Sequence, residues 1–295
     1  MSHYVTFAHR GGKALSVDVQ TDVLEISEPI EKLRALDLSI LPDLRELRLM
    51  APVSTHRSLD FLRGCPNLEA LYINAMAGLE DCDGISVCRR LKRLGIGERA
   101  SFDFAAVAGL PLKEVKSFSP KVKGISELPA IKSLDRLELA GIRVERITDV
   151  VPTAVTHLRL WDCRLISTEG LDTLVAVQHL DLGHSPVSSI PSLASLLSLR
   201  WFGLSAHNKL GNIRFVDGVD LEYFIIENMG ELESLEPLGG MDSLRGLSAH
   251  RTFFPAADLS FLVNLPNLQK CLLEKKYRDQ ILNYQKKNEC QFVFR

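Results

Sequence analysis

A six-residue pattern, apolar at its first, fourth and sixth positions, recurs eleven times along the 295-residue chain. Clear copies are Leu44-Leu47-Leu49, Leu68-Leu71-Ile73, Leu91-Leu94-Ile96, Leu134-Leu137-Leu139, Val155-Leu158-Leu160, Val177-Leu180-Leu182, Leu199-Phe202-Leu204 and Leu221-Phe224-Ile226. Weaker ones are Leu112-Val115-Ser117, Leu244-Leu247-Ala249 and Leu268-Cys271-Leu273. Their first residues lie 21 to 24 apart throughout. A segment this short alternates its side chains across a strand and cannot bury its own apolar face. Repeats of this period must therefore stack, each supplying one strand to a continuous parallel sheet.

The segments between the strands carry a different period. Val187, Ile190, Leu193, Leu196 and Leu199 recur every three residues, as do Ile125, Leu128, Ile131 and Leu134, and Leu232, Leu235 and Leu238. A period of three fits 3₁₀ turns and extended chain better than the 3.6 of a long helix. The two longest repeats leave room for an extra helical turn, near Ser58–Leu62 and Asp258–Val263.

Taken together these motifs resemble the leucine-rich-repeat family over nearly the whole chain, in its short-period form (internalin-like or phosphatase-regulator-like) and not the longer ribonuclease-inhibitor form. The resemblance implies an α/β solenoid: a curved parallel β-sheet on the concave face, with 3₁₀ and extended segments and few short helices on the convex face. One feature departs from it. The family places Asn or Cys three residues after the third apolar position. Here that position reads Pro52, Met76, Arg99, Pro120, Ile142, Cys163, Ser185, His207, Met229, Thr252 and Lys276. Only Cys163 fits, so the backbone at these turns is expected to find other partners, water included.

The ends follow the same ruler. Leu24 precedes Leu47 by one period, so 22–43 reads as a degenerate first repeat, with Pro29 and Ile30 mirroring Pro52 and Val53 and with Leu33-Leu36-Leu38 out of phase. Leu15, Val17 and Val19 suit a capping strand, Tyr277–Lys287 an amphipathic helix with Ile281, Leu282 and Tyr284 inward, and Phe292-Val293-Phe294 a last strand one period after Cys271. The expected organisation is one domain over 1–295, with an N-terminal cap and degenerate repeat (1–43), eleven repeats (44–276), a C-terminal cap (277–295) and thirteen strands in all.

Composition narrows the function classes. With 35 basic and 37 acidic residues the net charge is -2, which gives no general attraction to nucleic acid or anionic lipid. No apolar run is long enough to span a membrane, and the N-terminus does not read as a secretory signal. Six scattered cysteines without a C-x-x-C pair fit free thiols in a reducing cytoplasm. The expected setting is cytoplasmic, and the free protein is expected to be a monomer.

Chemistry-bearing motifs are sparse. Gly11-Gly12-Lys13 reads as a flexible loop before it reads as a phosphate cradle. His157, His179, His184 and Asp181 gather near Cys163, but the repeat frame turns Cys163 inward and both His157 and His179 outward. A nucleophile and base on opposite faces cannot share a proton. A His157–His179 metal site lacks a third ligand. Neither a catalytic site, a cofactor nor a metal is expected. About 20 residues follow the last repeat, too few for the ligase domain that some bacterial relatives carry.

The outward face remains. His157, His179, Trp201 and Tyr223 form a ring-bearing row, and the only two tryptophans, Trp161 and Trp201, share that face, with Gly183 and Gly203 reading as bare backbone beside them. Lys116, Glu138, Arg159 and Asp181 alternate in sign across neighbouring strands. Lateral stacking and pairing would explain such rows as sheet stabilisation. Exposed aromatic and arginine residues are also what dominates interface hot spots. The expected partner is another protein, bound through Tyr72, Phe118, His157, Arg159, Trp161, Asp162, His179, Asp181, His184, Trp201, Tyr223, Glu227, His250 and Arg251. The expected role is a non-enzymatic adaptor, regulator or bacterial immunity protein. The alternative is a carbohydrate or small-molecule receptor stacking its ligand on Trp161 and Trp201. Were the two tryptophans already sealed by their neighbours, the partner would dock instead along the turns after the strands, around Asp162, His184, Asn228 and Arg251.

Overall fold

The computed structural model describes residues 4–8, 14–18, 22–27, 38–50, 57–185, 187–207, 209–255, 259–282 and 290–294. The Gly11-Gly12-Lys13 loop, Val19, Pro29, Ile30, Leu33, Leu36, Pro52, Val53 and Tyr284 fall outside them. The chain divides into two compact units, Met1–Ile142 and Arg143–Arg295.

In the first unit, Val23–Ile26, Glu46–Leu49, Ala70–Ile73, Arg93–Ile96, Glu114–Ser117 and Arg136–Ala140 pair in sequence order, all parallel. Leu24 lies opposite Leu47, the register that one period requires. A separate antiparallel hairpin joins Tyr4–Ala8 to Ala14–Asp18. In the second unit, His157–Trp161, His179–Gly183, Trp201–Ser205, Tyr223–Glu227, Gly246–Ser248, Lys270–Leu273 and Gln291–Phe294 pair the same way. Cys271 lies opposite Phe292. Among the described residues these make thirteen parallel strands, six and seven.

Burial explains why these segments are strands. Leu158, Leu160, Leu180, Leu182, Phe202 and Leu204 are fully buried, and the residues between them face out. Beneath them the period-three positions Leu193, Leu196, Leu232, Leu235 and Leu238 close the core. Their segments form short 3₁₀ stretches of one or two turns, such as Glu236–Leu238 and Ile125–Ala130, or extended chain. The extra turns are 3₁₀ helices at Asp60–Gly64 and Ser260–Asn264. At the C-terminus a 3₁₀ turn Lys275–Tyr277 leads into an α-helix over Arg278–Leu282, with Ile281 buried, and the rest of the expected amphipathic helix lies outside the described residues. All six cysteines are free and buried. Burial pushes the Cys65 and Cys88 thiols up to about 12, and Cys82 and Cys290 up to about 11.

The turns after the strands are solved position by position. Ser185 donates its hydroxyl to the Cys163 carbonyl at 2.6 Å, and Thr252 donates to the Ile226 carbonyl at 3.5 Å. His207 Nε2 lies 3.2 Å from the Leu182 carbonyl and donates to it in the tautomer that bond requires. Side chains of three kinds, serine, threonine and histidine, thus stand where a uniform asparagine ladder would. Just before each of these residues the backbone is left-handed, at Gly141, Asp162, His184, Ala206, Asn228 and Arg251, with φ between 50° and 73°. Asn, Asp and His tolerate this region; alanine gains nothing from its side chain there and carries the Cβ clash. Ala206→Gly should therefore raise stability by about 0.5–1 kcal/mol, read as an increased denaturant midpoint at unchanged slope.

Three buried side-chain atoms lack a hydrogen-bond partner among the described residues: Ser117 Oγ, His207 Nδ1 and His250 Nδ1. Ser117 occupies an inward strand position between Ile96 and Leu139, fully buried, and its hydroxyl has no partner among the described residues. An orphaned buried hydroxyl costs about 1–3 kcal/mol, so Ser117→Val should stabilise the protein by about 1–2 kcal/mol in chemical denaturation. His207 Nδ1 is likewise buried without a partner. Burial lowers the His207 pKa from 6.5, partly opposed by the Leu182 carbonyl. Just below 6.5 the unfolded chain therefore binds more protons at this ring than the folded state does. Stability should fall as pH drops through 6.5, where the unfolded chain begins to take up the proton that burial disfavours in the folded state. His207→Asn should lose that part of the dependence in melts run across the same pH range.

Candidate outward-face binding site

The repeat register sets the site. In the second unit His157, His179, Trp201, Tyr223 and Gly246 lie opposite one another on successive strands, as do Arg159, Asp181, Gly203 and Ile225. The rings are half-buried, except for Tyr223, which is exposed. His157 and His179 stack with centroids 5.7 Å apart, and His179 and Trp201 stack face to face at 3.8 Å and 6°. Thr156 Oγ1 lies 2.8 Å from His157 Nδ1 and fixes that ring at the edge of the stack.

Tyr223 breaks the row. Its ring lies over Gly246 on the next strand, so close that an added Cβ there would stand 2.7 Å from the ring. The same device recurs. A Cβ on Gly183 would meet the Trp161 ring at 2.5 Å, and one on Gly203 would meet the Trp201 ring at 2.6 Å and Asp181 Oδ1 at 3.0 Å. Gly183 and Gly203 are therefore not open backbone that awaits a side chain, as expected from the sequence. They are already covered: the Trp161 ring lies over Gly183 on the next strand, and the far edge of the Trp201 indole reaches Gly203 on its own strand. Without a Cβ a strand leaves about one ring's thickness above its backbone, and the neighbouring indole fills it.

Charge completes the platform. Arg159 Nε donates to Asp181 Oδ2 at 3.0 Å, and the Arg159 guanidinium lies 5.0 Å from the Trp161 ring centroid. His184 borders the same indole at 5.2 Å. Asp181 is only 7% exposed, so the expectation that it stands in solvent is corrected: Arg159 and the Trp201 side of the face cover it. In the first unit Lys116 pairs with Glu138 at 3.6 Å. Lateral pairing thus accounts for the alternating charges.

The remaining expected residues scatter around this centre. Glu227 accepts from Ser248 Oγ at 3.2 Å. His250 Nδ1 lies 3.2 Å from Glu274 Oε1 without hydrogen-bond alignment. Asp162, His184 and Arg251 are exposed on the left-handed turns. Tyr72 and Phe118 belong to the first unit. Among the described residues no three His, Cys, Asp or Glu side chains converge as metal ligands. Cys163 directs its thiol to the Trp161 carbonyl at 3.6 Å.

Solved structures share this architecture. An internalin from Listeria monocytogenes superposes with a TM-score of 0.65 at 19% identity, over 82% of this chain and 71% of the internalin. The fold is that of the leucine-rich-repeat proteins. A leucine-rich-repeat protein from Leptospira interrogans matches with a TM-score of 0.59 at 15% identity, over 92% of this chain and 89% of its own. A plant peptide hormone receptor, in a structure of its complex, matches at 0.54 and 15% identity, over 90% of this chain and 52% of the receptor. No family model matches the chain, and no curated protein matches it in sequence. Among the described residues no helix is long and apolar enough to cross a membrane.

Proposed function

We propose that this chain is a non-enzymatic, cytosolic protein-binding scaffold that grips a folded partner on the concave, outward face of its sheet, centred on residues 157–227. The observation that carries this reading is the Trp161–Arg159 and His157–His179–Trp201 platform. Its rings are half-exposed yet already immobilised by stacking and by the glycines below them. Aromatic and arginine side chains held in place before binding lose little rotamer freedom on contact, which makes them effective hot spots. Six buried free thiols suit the reducing interior of a cell.

Within that class the role is an adaptor, a regulator or an immunity protein that covers a toxin, and the free protein acts as a monomer. Affinity capture from the source cell, with wild type beside a Trp161→Ala/Trp201→Ala double variant, tests the reading. A specific protein retained by wild type and lost from the folded variant supports it. Equal retention by both places the contact elsewhere.

A further inference from the structure

Return segments of the second unit are tied to their neighbours by main-chain hydrogen bonds. Ile166 and Ser167 N–H donate to the Val144 and Glu145 carbonyls, Glu233 N–H to the Gly211 carbonyl and Leu232 N–H to the Phe253 carbonyl, all at 2.8–3.1 Å. Between 188–190 and 211–213 no such bond forms among the described residues. The first tie beyond them is Leu193 N–H to the Phe215 carbonyl at 2.9 Å. A hollow of about 300 Å³ opens there, lined by both segments. Ile190 and Phe215 are its buried members, and Ser188, Ser189 and Arg214 its exposed ones.

The gap follows from the direction of two peptide groups. The Ser189 carbonyl is turned to the preceding segment, where it accepts from Thr168 Oγ1 at 2.9 Å. The Gly211 carbonyl is turned to the following segment, where it accepts from Glu233 N–H at 2.8 Å. In a trans peptide the N–H points opposite to the C=O. Ile190 N–H and Asn212 N–H therefore point into the gap from its two walls. Two donors cannot bond each other, and neither finds an acceptor among the described residues.

The side chains around them add donors. Asn212 Oδ1 already accepts from Arg214 N–H at 3.1 Å, which leaves the amide NH₂ to donate. The Ser188 and Ser189 hydroxyls make no hydrogen bond, and the Arg214 guanidinium no ion pair, among the described residues. No carboxylate lines the hollow. Glu169, Lys209, Asp217 and Glu233, the charged residues beside these segments, are exposed and stand outside it. The acceptors are engaged, while donors and one cation are left. An occupant that suits them accepts from several sides and carries negative charge.

We infer that this gap binds a phosphomonoester, whose oxygens bridge Ile190 N–H and Asn212 N–H while Arg214 neutralises its charge and the Ser188 and Ser189 hydroxyls complete its shell. The phosphate comes from a small solute or from a phosphorylated side chain, and the recognition chemistry is the same for both.

Amide NMR spectra of the isotope-labelled full chain test this, at constant ionic strength. The titrants are O-phosphoserine and a short alanine peptide carrying one phosphoserine, beside serine, the unphosphorylated peptide and glucose. The expected result is a saturable shift of the Ile190 and Asn212 amides with the two phosphorylated probes alone. Arg214→Gln should weaken binding at least about ten-fold, and a Ser188→Ala/Ser189→Ala double variant roughly two- to five-fold. Arg214 is exposed and unpaired, so both variants should melt as wild type does. Trp201→Ala should bind phosphate unchanged, which keeps this site independent of the ring platform. Tighter binding of the phosphopeptide than of O-phosphoserine, by ten-fold or more, supports the site with a phosphoprotein as source, and equal binding supports it with a small solute. No saturable shift overturns the inference. So do shifts that Arg214→Gln leaves unaltered, or that glucose produces as well.

Discussion

Trp201→Ala should leave the melting temperature within a few degrees of wild type and weaken partner binding about 30- to 1000-fold, or about 2–4 kcal/mol. The two effects separate because the indole stands on the outward side of a strand whose stability comes from Phe202 and Leu204, both fully buried inward. Its own structural contribution is the stack on His179 at 3.8 Å. Such a pair is worth about 0.5–1.5 kcal/mol beyond area burial. Calorimetric titration with the captured partner, beside thermal melts of both proteins, measures the two quantities. A variant that melts far lower, or that binds as wild type does, would make the stack a structural brace.

Leu180→Ala should act in the opposite way, destabilising the protein by about 2–5 kcal/mol. Leu180 is fully buried between Leu158 and Phe202 on the neighbouring strands, and its removal leaves a void that rigid repeats on both sides cannot close. Asp181→Ala, one residue along and on the other face, should cost about 1–2 kcal/mol. That lies between an exposed ion pair and a buried one, because Asp181 is buried while Arg159 keeps much of its side chain in water. Urea titrations of the two variants rank the positions, and equal losses would contradict the assignment of faces.

The strands and their register were legible because the side-chain period of a strand is two and the repeat length barely varies. A one-residue slip would have turned Leu180 and Leu182 outward. Even the degenerate first repeat and the last strand pair as counting requires, Leu24 opposite Leu47 and Cys271 opposite Phe292. The outward columns were legible too, but not how their side chains lie. Sequence order says that Gly183 sits beside Trp161. It does not say that the indole will lie down on it, since that depends on a lateral neighbour one period away. Asp181 looked exposed for the same reason. The left-handed turns had a signal that went unread. Asp162, His184 and Asn228 recur at a fixed spacing, but Ala206 and Arg251 in the same series hide it.

The buried cysteines give this molecule a built-in clock for local opening. Cys65, Cys82 and Cys88 sit in the first unit and Cys163, Cys271 and Cys290 in the second. Where burial disfavours the thiolate and shields the sulfur, alkylation can proceed only during excursions in which the surrounding repeat comes apart. The rate at which each sulfur is modified therefore reports how often its own stretch of the solenoid opens. In a chain whose repeats hold mainly their neighbours, those rates map which coils loosen alone and which loosen together.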